Sequence, residues 1–317
     1  MREHMRLRIT RLHFAPVLLM LAFVSSIQAQ DKPNLAWKLE KGDTLAVEFQ
    51  QTQKVLTRID ARDRALESEL TLGVGWNVTD VADGSATIEQ TIERIRIKSG
   101  TPGGTIKKVV DIDTASDAPL RGVSRGVMKQ IETLIGLKFT VVMKPDGEVV
   151  SVTPAPNVAT VVANLPATSA LRRVFSKTAM GKLVSDSTFG LPETTVKQGE
   201  SWNQKSTIAM TANDGRAFSF DRSVKSTLKS ISDSKANIDV EVTLTQAPFS
   251  GANAGHELTS PLELTGFSGS GQIEFDRSTG TLTSSSITSE TKTLVVYRGD
   301  RVKTTANVTN RMTVTRK

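Results

Sequence analysis

The chain contains no cysteine. That excludes a disulfide framework, a thiol nucleophile, a zinc–thiolate site and a cysteine-linked lipid anchor. Histidine is almost as scarce, with three residues, at positions 4, 13 and 256. Two of these fall in an N-terminal segment read below as removable. His256 alone would then remain, in a Gly/Ala/Asn-rich stretch (residues 251–255 and its exit) expected to be a surface loop. One histidine is too few for most Ser-His-Asp triads, most multi-histidine metal sites and most general-base schemes. Aromatic residues make up 5% of the chain, with a single tyrosine. An outer-membrane barrel needs aromatic girdles at both rims, and these are missing.

What is present begins with residues 1–29. Arg2, Arg6, Arg8 and Arg11 form a basic start, Phe14 to Val24 an apolar run, and Ser25, Ser26 and Ala29 a small-residue exit. This is the pattern of a secretory signal peptide, with cleavage expected after Ala29. The apolar run is shorter than the roughly 20 residues that span a bilayer, so no transmembrane segment is expected after cleavage. The expected location is exported, in the periplasm or outside the cell, in a bacterial envelope. The whole chain carries +7; four arginines and one glutamate in residues 1–29 account for +3, leaving +4. The remaining cations are interleaved with acids, as in Glu93-Arg94-Ile95-Arg96, so no nucleic-acid partner is expected.

Beyond residue 29 the pattern is period-2. Leu45, Val47 and Phe49, continuing to Val55 and Ile59, form one apolar series; Leu70, Leu72, Val74, Trp76 and Val78 form the next. Strict alternation predicts antiparallel strands with one face buried. Asp83-Gly84 predicts a tight turn, followed by Ile88 and Ile92. Ile95 and Ile97 lie on the opposite parity, which predicts a β-bulge near Glu93-Arg94. Helical spacing appears only in the middle. Leu120, Val123, Val127, Met128, Ile131, Leu134 and Ile135 precede Gly136 as a stop; Val158, Val161, Val162 and Leu165 follow Pro154 and Pro156; Leu171, Val174, Phe175 and Leu183 suggest a third helix. Strands resume with Phe218, Phe220, Val224 and Leu228. A turn over 233–237 leads to Ile238, Val240, Val242 and Leu244, and the last strand runs from Val302 to Val314. Two hairpins, over 139–151 and 273–284, share a layout and suggest two related halves.

The search for chemistry is mostly negative. Gly266-Phe267-Ser268-Gly269-Ser270-Gly271 breaks the spacing of a nucleophile elbow and suggests a flexible turn. Ser226/Lys229 and Ser289/Lys292 spell S-x-x-K, but positions i and i+3 of a strand face opposite sides. Asp111 with Asp113, or Asp60 with Asp63, could share a face and take a hard cation, though neither approaches a calcium-loop pattern. Trp76 is expected in the core, and Trp202, just after a turn, as a plug at a sheet end.

Three stretches carry a resemblance when taken in order: Phe139 with Lys144-Pro145-Asp146-Gly147-Glu148-Val149; Leu191-Pro192 with Val196-Lys197-Gln198-Gly199-Glu200-Ser201-Trp202; and Phe275-Asp276, Thr279-Gly280 and Leu282. Together, behind a signal peptide, they resemble an exported bacterial family of planctomycete type known only as a domain of unknown function. The resemblance implies export and a β-rich fold and supplies no catalytic residues.

The expected fold is α+β and mainly antiparallel β: two related curved, half-barrel-like sheets with a few central helices. By analogy it is similar to the half-barrels of periplasmic lipoprotein carriers. Residues 1–29 are the signal peptide, 30–190 an N-terminal β unit with the central helices, and 191–317 a C-terminal β unit; the two units can also be one continuous domain. No catalytic, metal or cofactor-binding residue is assigned, and no cofactor is expected. The leading expectation is a non-enzymatic envelope protein carrying an apolar or amphipathic ligand such as a lipid, between sheet and helices. The alternative is a structural or interaction module that binds envelope proteins, with a filled core; an enzyme comes third.

Overall fold

A computed structural model describes residues 35–59, 62–101, 110–120, 122–165, 189–211, 217–246, 262–297 and 300–317. Their twelve strands are β1 (Thr44–Ile59), β2 (Arg62–Ala82), β3 (Ser85–Gly100), β4 (Val110–Asp113), β5 (Lys138–Met143), β6 (Val149–Pro154), β7 (Ser201–Thr211), β8 (Ala217–Ile231), β9 (Lys235–Gln246), β10 (Glu263–Asp276), β11 (Thr281–Tyr297) and β12 (Asp300–Arg316). Two helices, α1 (Val123–Glu132) and α2 (Pro156–Asn164), flank the β5–β6 hairpin. All strands belong to one sheet of order β6-β5-β3-β2-β1-β12-β11-β10-β9-β8-β7, with β4 added to β3. Every pairing is antiparallel. The mainly antiparallel α+β class is therefore as expected. The two β-rich halves are continuous, because β1 of one pairs with β12 of the other from Leu45↔Arg316 to Ile59↔Val302.

The local signals explain the strands. Asp83 and Gly84 both take positive φ (50° and 73°), the backbone of a two-residue turn whose twist matches the flanking strands. The expected bulge is present: Gly73 pairs with Arg94 and Val74 with Ile92, leaving Glu93 as the extra residue. Ile95 thereby returns to the buried face beside Leu72. Across the sheet, Ile95, Leu72, Phe49, Met312, Ser285, Ile273, Ile238 and Leu228 form one row in register, all buried.

Among the described residues the strands are packed at one end, called here the closed end. It carries the turns 83–84, 144–148, 232–234 and 277–280. A short extended segment, residues 35–40, crosses this end. The Trp37 amide donates to the Pro145 carbonyl (2.7 Å) and the Lys38 amide to the Gly280 carbonyl (2.9 Å). These carbonyls belong to the β5–β6 and β10–β11 turns, which come from different halves of the sheet. Leu35, Trp37 and Leu39 are buried on alternate positions. The Trp37 ring lies 6.0 Å from Trp76 of β2 and 6.2 Å, edge-on, from Phe275 of β10. A sheet whose β2 and β10 touch one side chain must curl around it. A second bridge joins the ends of the strand order. The Leu191 amide donates to the Asp146 carbonyl (2.6 Å), and the Trp202 indole of β7 donates to the Gly190 carbonyl (2.9 Å).

The helices pack into the same end. Ile131 of α1 and Val158 of α2 are buried. Helix α2 starts with proline in its first turn, where a missing N–H is harmless. The apolar stripe of α1 outruns the helix: Leu134 and Ile135 sit in the following turn, closed by Gly136 at φ 81°. The Gly136 amide and the Leu137 carbonyl then bond Ile92 of β3. The turn after β8 is shorter than expected, with β9 starting at Lys235. The third helix expected around Leu171–Leu183 lies outside the described residues.

This packing makes Trp37 a wedge shared by both halves. Trp37→Ala should cost about 3–5 kcal/mol of unfolding free energy, as large buried aromatic truncations do, read from the urea midpoint at unchanged slope. A loss under about 1 kcal/mol, well below that range, would mean the curl holds without it.

Candidate functional site

The strands continue far past the packed end. β2 alone has 21 residues, about 70 Å of extended chain. The inner face, which is fully covered at Leu45, Ile88 and Leu228, becomes half-exposed along this second stretch. Leu66 is 44% exposed there, and Val55, its partner on β1, is partly exposed. The inner face is also mixed in character. Going outward on β1 it carries Gln51, Gln53, Val55, Thr57 and Ile59, and on β12 Asn310, Val308, Ala306, Thr304 and Val302. The Gln51 amide donates to the Asn310 side-chain carbonyl across the pair (2.9 Å). On the β8–β10 side the same face is more apolar, with Phe220, Val224 and Val242 buried.

Glycines shape that side. The 266–271 stretch expected as a flexible turn is strand, inside β10. A side chain at Gly271 would overlap the Ser286 carbonyl and Ile287, and one at Gly269 would press on Val242 and the Phe267 ring. The glycines are there for close approach of neighbouring strands.

The space between sheet and helices is filled. Trp76, Phe139, Phe275, Leu35, Ile131 and Leu134 are among the fully buried side chains. A cavity of about 380 Å³ lies instead on β1–β3, lined by Thr52, Gln53, Lys54, Glu67, Ser68 and Glu69 together with residues 98–101. Its lining residues are polar in type, but the surface they present to the cavity is mainly apolar, and Lys54 is paired with Glu67 at 3.1 Å.

The carboxylates singled out in the sequence are engaged by arginine. Asp113 receives Arg94 in bidentate fashion (Nε 2.9 Å, Nη2 2.5 Å), and Arg96 lies 3.9 Å from Asp111. Asp63 receives Arg58 the same way (2.6 and 2.7 Å); Asp60 lies outside the described residues. The Arg94 guanidinium holds the Asp113 carboxyl below the usual range, against a smaller opposing effect of burial. Arg58 does the same to Asp63. Asp276 is lowered by the Ser278 hydroxyl and the Thr279 amide, which it caps in the β10–β11 turn. Every shifted carboxylate here is depressed, the opposite of what a general acid at neutral pH requires.

The other candidates separate. Ser226 is buried on the inner face, while Lys229 is exposed and bonded to Asp239 (3.4 Å). Lys292 pairs with Glu290 (2.7 Å), and Ser289 sits on the inner face opposite Val308. Trp76 is core, and Trp202 is half-buried at the sheet edge, as expected. His256 lies outside the described residues. Leu35, Trp37 and Leu39 alternate with Ala36, Lys38 and Glu40, a pattern too short to show what it packs against, so Trp37 was not legible as the centre of the packed end.

A model described as "Family of unknown function (DUF6263)" matches residues 83–282. That span contains all three stretches that carried the resemblance. No curated protein matches the chain. Among solved structures, one described as "lipid-protein interactions in lipovitellin" is similar at 8% identity and a TM-score of 0.39, over 88% of this chain; the chain spans only 25% of that one. An outer membrane channel from Pseudomonas putida F1 is similar at 8% identity and a TM-score of 0.24, over 88% of this chain and 97% of that one. Similarity at this level assigns no activity. No helix among the described residues is long and apolar enough to cross a membrane.

The Arg94–Asp113 pair predicts an acid-sensitive β3–β4 junction. Because the folded-state pKa of Asp113 is depressed, its contribution is present above the ordinary carboxylate range and lost as pH falls through that range. Asp113→Asn should lower stability at neutral pH by about 1 kcal/mol, discounted for the partial exposure of the pair. The difference from wild type should shrink as pH falls below the ordinary carboxylate range and be lost once Asp113 is protonated in the folded protein too. Denaturant midpoints across pH would show it, and a gap that persists in acid would contradict the assignment.

Proposed function

We propose, from the premise that this chain belongs to DUF6263, a family of unknown function, that it is an exported, non-catalytic binding protein of the bacterial cell envelope. Its ligand is amphipathic and lies along the outer stretch of the inner sheet face. The basic, apolar and small-residue succession of residues 1–29 supports export. The single carrying observation is the change of cover along one face. β1 runs ten residues beyond Phe49 with its ladder to β12 intact, while its inner side chains go from buried to half-exposed. A sheet face with apolar positions is ordinarily covered by another layer. The alternation of Val55, Leu66, Leu70 and Val308 with Gln51, Gln53, Ser68 and Thr304 suits a molecule that is apolar on one side and hydrogen-bonding on the other. The filled core argues against a ligand between sheet and helices.

That filled core also favours a second reading, an interaction module that holds an envelope protein without a small ligand. The two separate experimentally. Native mass spectrometry of protein extracted gently from its host should show an amphiphile of defined mass. The double variant Leu66→Asp, Val308→Asp should weaken binding of an amphipathic dye such as anilinonaphthalene sulfonate at least tenfold, about 1.4 kcal/mol. Its melting temperature should change little, since both sites are partly exposed. Unchanged dye binding, with no co-purified amphiphile, would favour the interaction module.

A further inference from the structure

The packed end holds a chemical imbalance. Trp76 is 1% exposed, Gln90 2% and Trp37 4%. The indole nitrogens of Trp37 and Trp76 and the side-chain amide nitrogen of Gln90 are each buried, and none has a hydrogen-bond partner among the described residues. The three groups are neighbours. Trp76 and Gln90 face each other across β2 and β3 on the inner face, which puts their Cβ atoms about 5 Å apart. The Trp37 ring lies 6.0 Å from that of Trp76. Elsewhere the surrounding row is apolar: Leu45 beyond Trp76 and Phe139 beyond Gln90, both buried.

All three groups are donors. Each buried donor left unmatched weakens the folded state, and three in one place would weigh heavily against the narrow margin that holds a domain folded. We infer that this cluster is a binding site for buried water, enclosed between the 35–40 segment and the β2–β3 hairpin. The chemistry selects a neutral acceptor. No Lys, Arg, Asp or Glu is among the buried residues described, and the Arg277 guanidinium, whose Nε is a further buried donor, is engaged by the Ser232 carbonyl, so an anion beside the indoles would lie in an apolar surround. Water accepts from the indoles and can return its own protons to the side-chain oxygen of Gln90. Buried waters characteristically satisfy about three such groups.

The test uses the exported protein labelled with ¹⁵N at tryptophan. Trp202 is an internal reference, because its indole already donates to the Gly190 carbonyl at 2.9 Å. The Trp37 and Trp76 indole protons should show cross-relaxation with long-lived water, and Trp202 should not. Assignment follows from Trp202→Phe. Absence of water contacts at both Trp37 and Trp76 would overturn the proposal. The second arm is Gln90→Leu, close in volume and apolar. With water bound, it should lower the melting temperature by several degrees and abolish the water signal, since the water loses a partner. If the three donors are simply orphaned, the same substitution should raise the melting temperature, and the water site would be wrong.

Discussion

The ladder between β1 and β12 is the constraint on which the rest of the structure depends. It pairs residues near the start of the described chain with its last strand. Without it the protein would be two antiparallel meanders, each with its own exposed edge. Such pairing is costly to form, because a long chain must close before any bond is made. It is reinforced where it begins. The Arg316 guanidinium donates to the Lys38 carbonyl (3.0 Å) and to the Asp43 carboxylate (2.8 Å), and the Lys317 amide bonds the Thr44 carbonyl (2.9 Å). The segment that carries Trp37 is thus held to the same seam that joins the halves. The seam between the halves and the packed end therefore share contacts through residues 38–44.

From that seam the molecule divides along its strands rather than between its halves. At the closed end, turns from both halves converge on residues 35–40, and the aromatic side chains fill the curl. At the other end the backbone ladder continues, and the described inner-face side chains become partly exposed. The side chains change accordingly. Apolar residues are nearly unbroken on the inner face around Phe49 and Leu72, and alternate with amide and hydroxyl groups beyond Gln51 and Leu70. A face expected to stay dry would gain from uniform apolar character. The observed mixture tolerates water and would equally suit a ligand with both kinds of surface.

Much of this was legible in the sequence because it is local. Alternation marked β1, β2, β9 and β12; Asp83-Gly84 marked a turn; the parity slip at Ile95 marked the bulge. The unread parts are those that local pattern does not encode. Nothing near Leu45 announces Arg316 as its partner, since register between distant strands is set by the whole sheet. Leu35, Trp37 and Leu39 alternate over only six residues, which marks an extended segment and not its partners, and the role of Trp37 comes from Pro145, Gly280, Trp76 and Phe275, all far away in the chain. The glycines of β10 mimic a loop in composition, yet they mark where neighbouring strands come too close for a side chain. Gln90 is polar, yet it shares the parity of Ile88 and Ile92 and is buried with them. The chemistry of the site was legible mainly by exclusion, through the scarcity of histidine and the lack of cysteine.

The bulge at Glu93 shows how one extra residue reconciles these demands. Up to Ile92 the buried positions of β3 are the even ones, and from Ile95 they are odd. Without the insertion, Ile95 would face outward and Arg94 would enter the core, an uncompensated charge of large cost. With it, Arg94 stays outside, within reach of Asp113 and, at 3.8 Å, Glu48. The insertion needs room on the adjoining strand, and β2 supplies it with two glycines. A side chain at Gly75 would overlap the Glu93 carboxylate, and one at Gly73 would press on the Cβ of Arg94. Glu93 in turn lies 3.6 Å from the Lys317 ammonium. A slip in β3, two missing side chains in β2 and the last residue of β12's flank therefore form one arrangement, held on the outer face directly behind the row that closes the core.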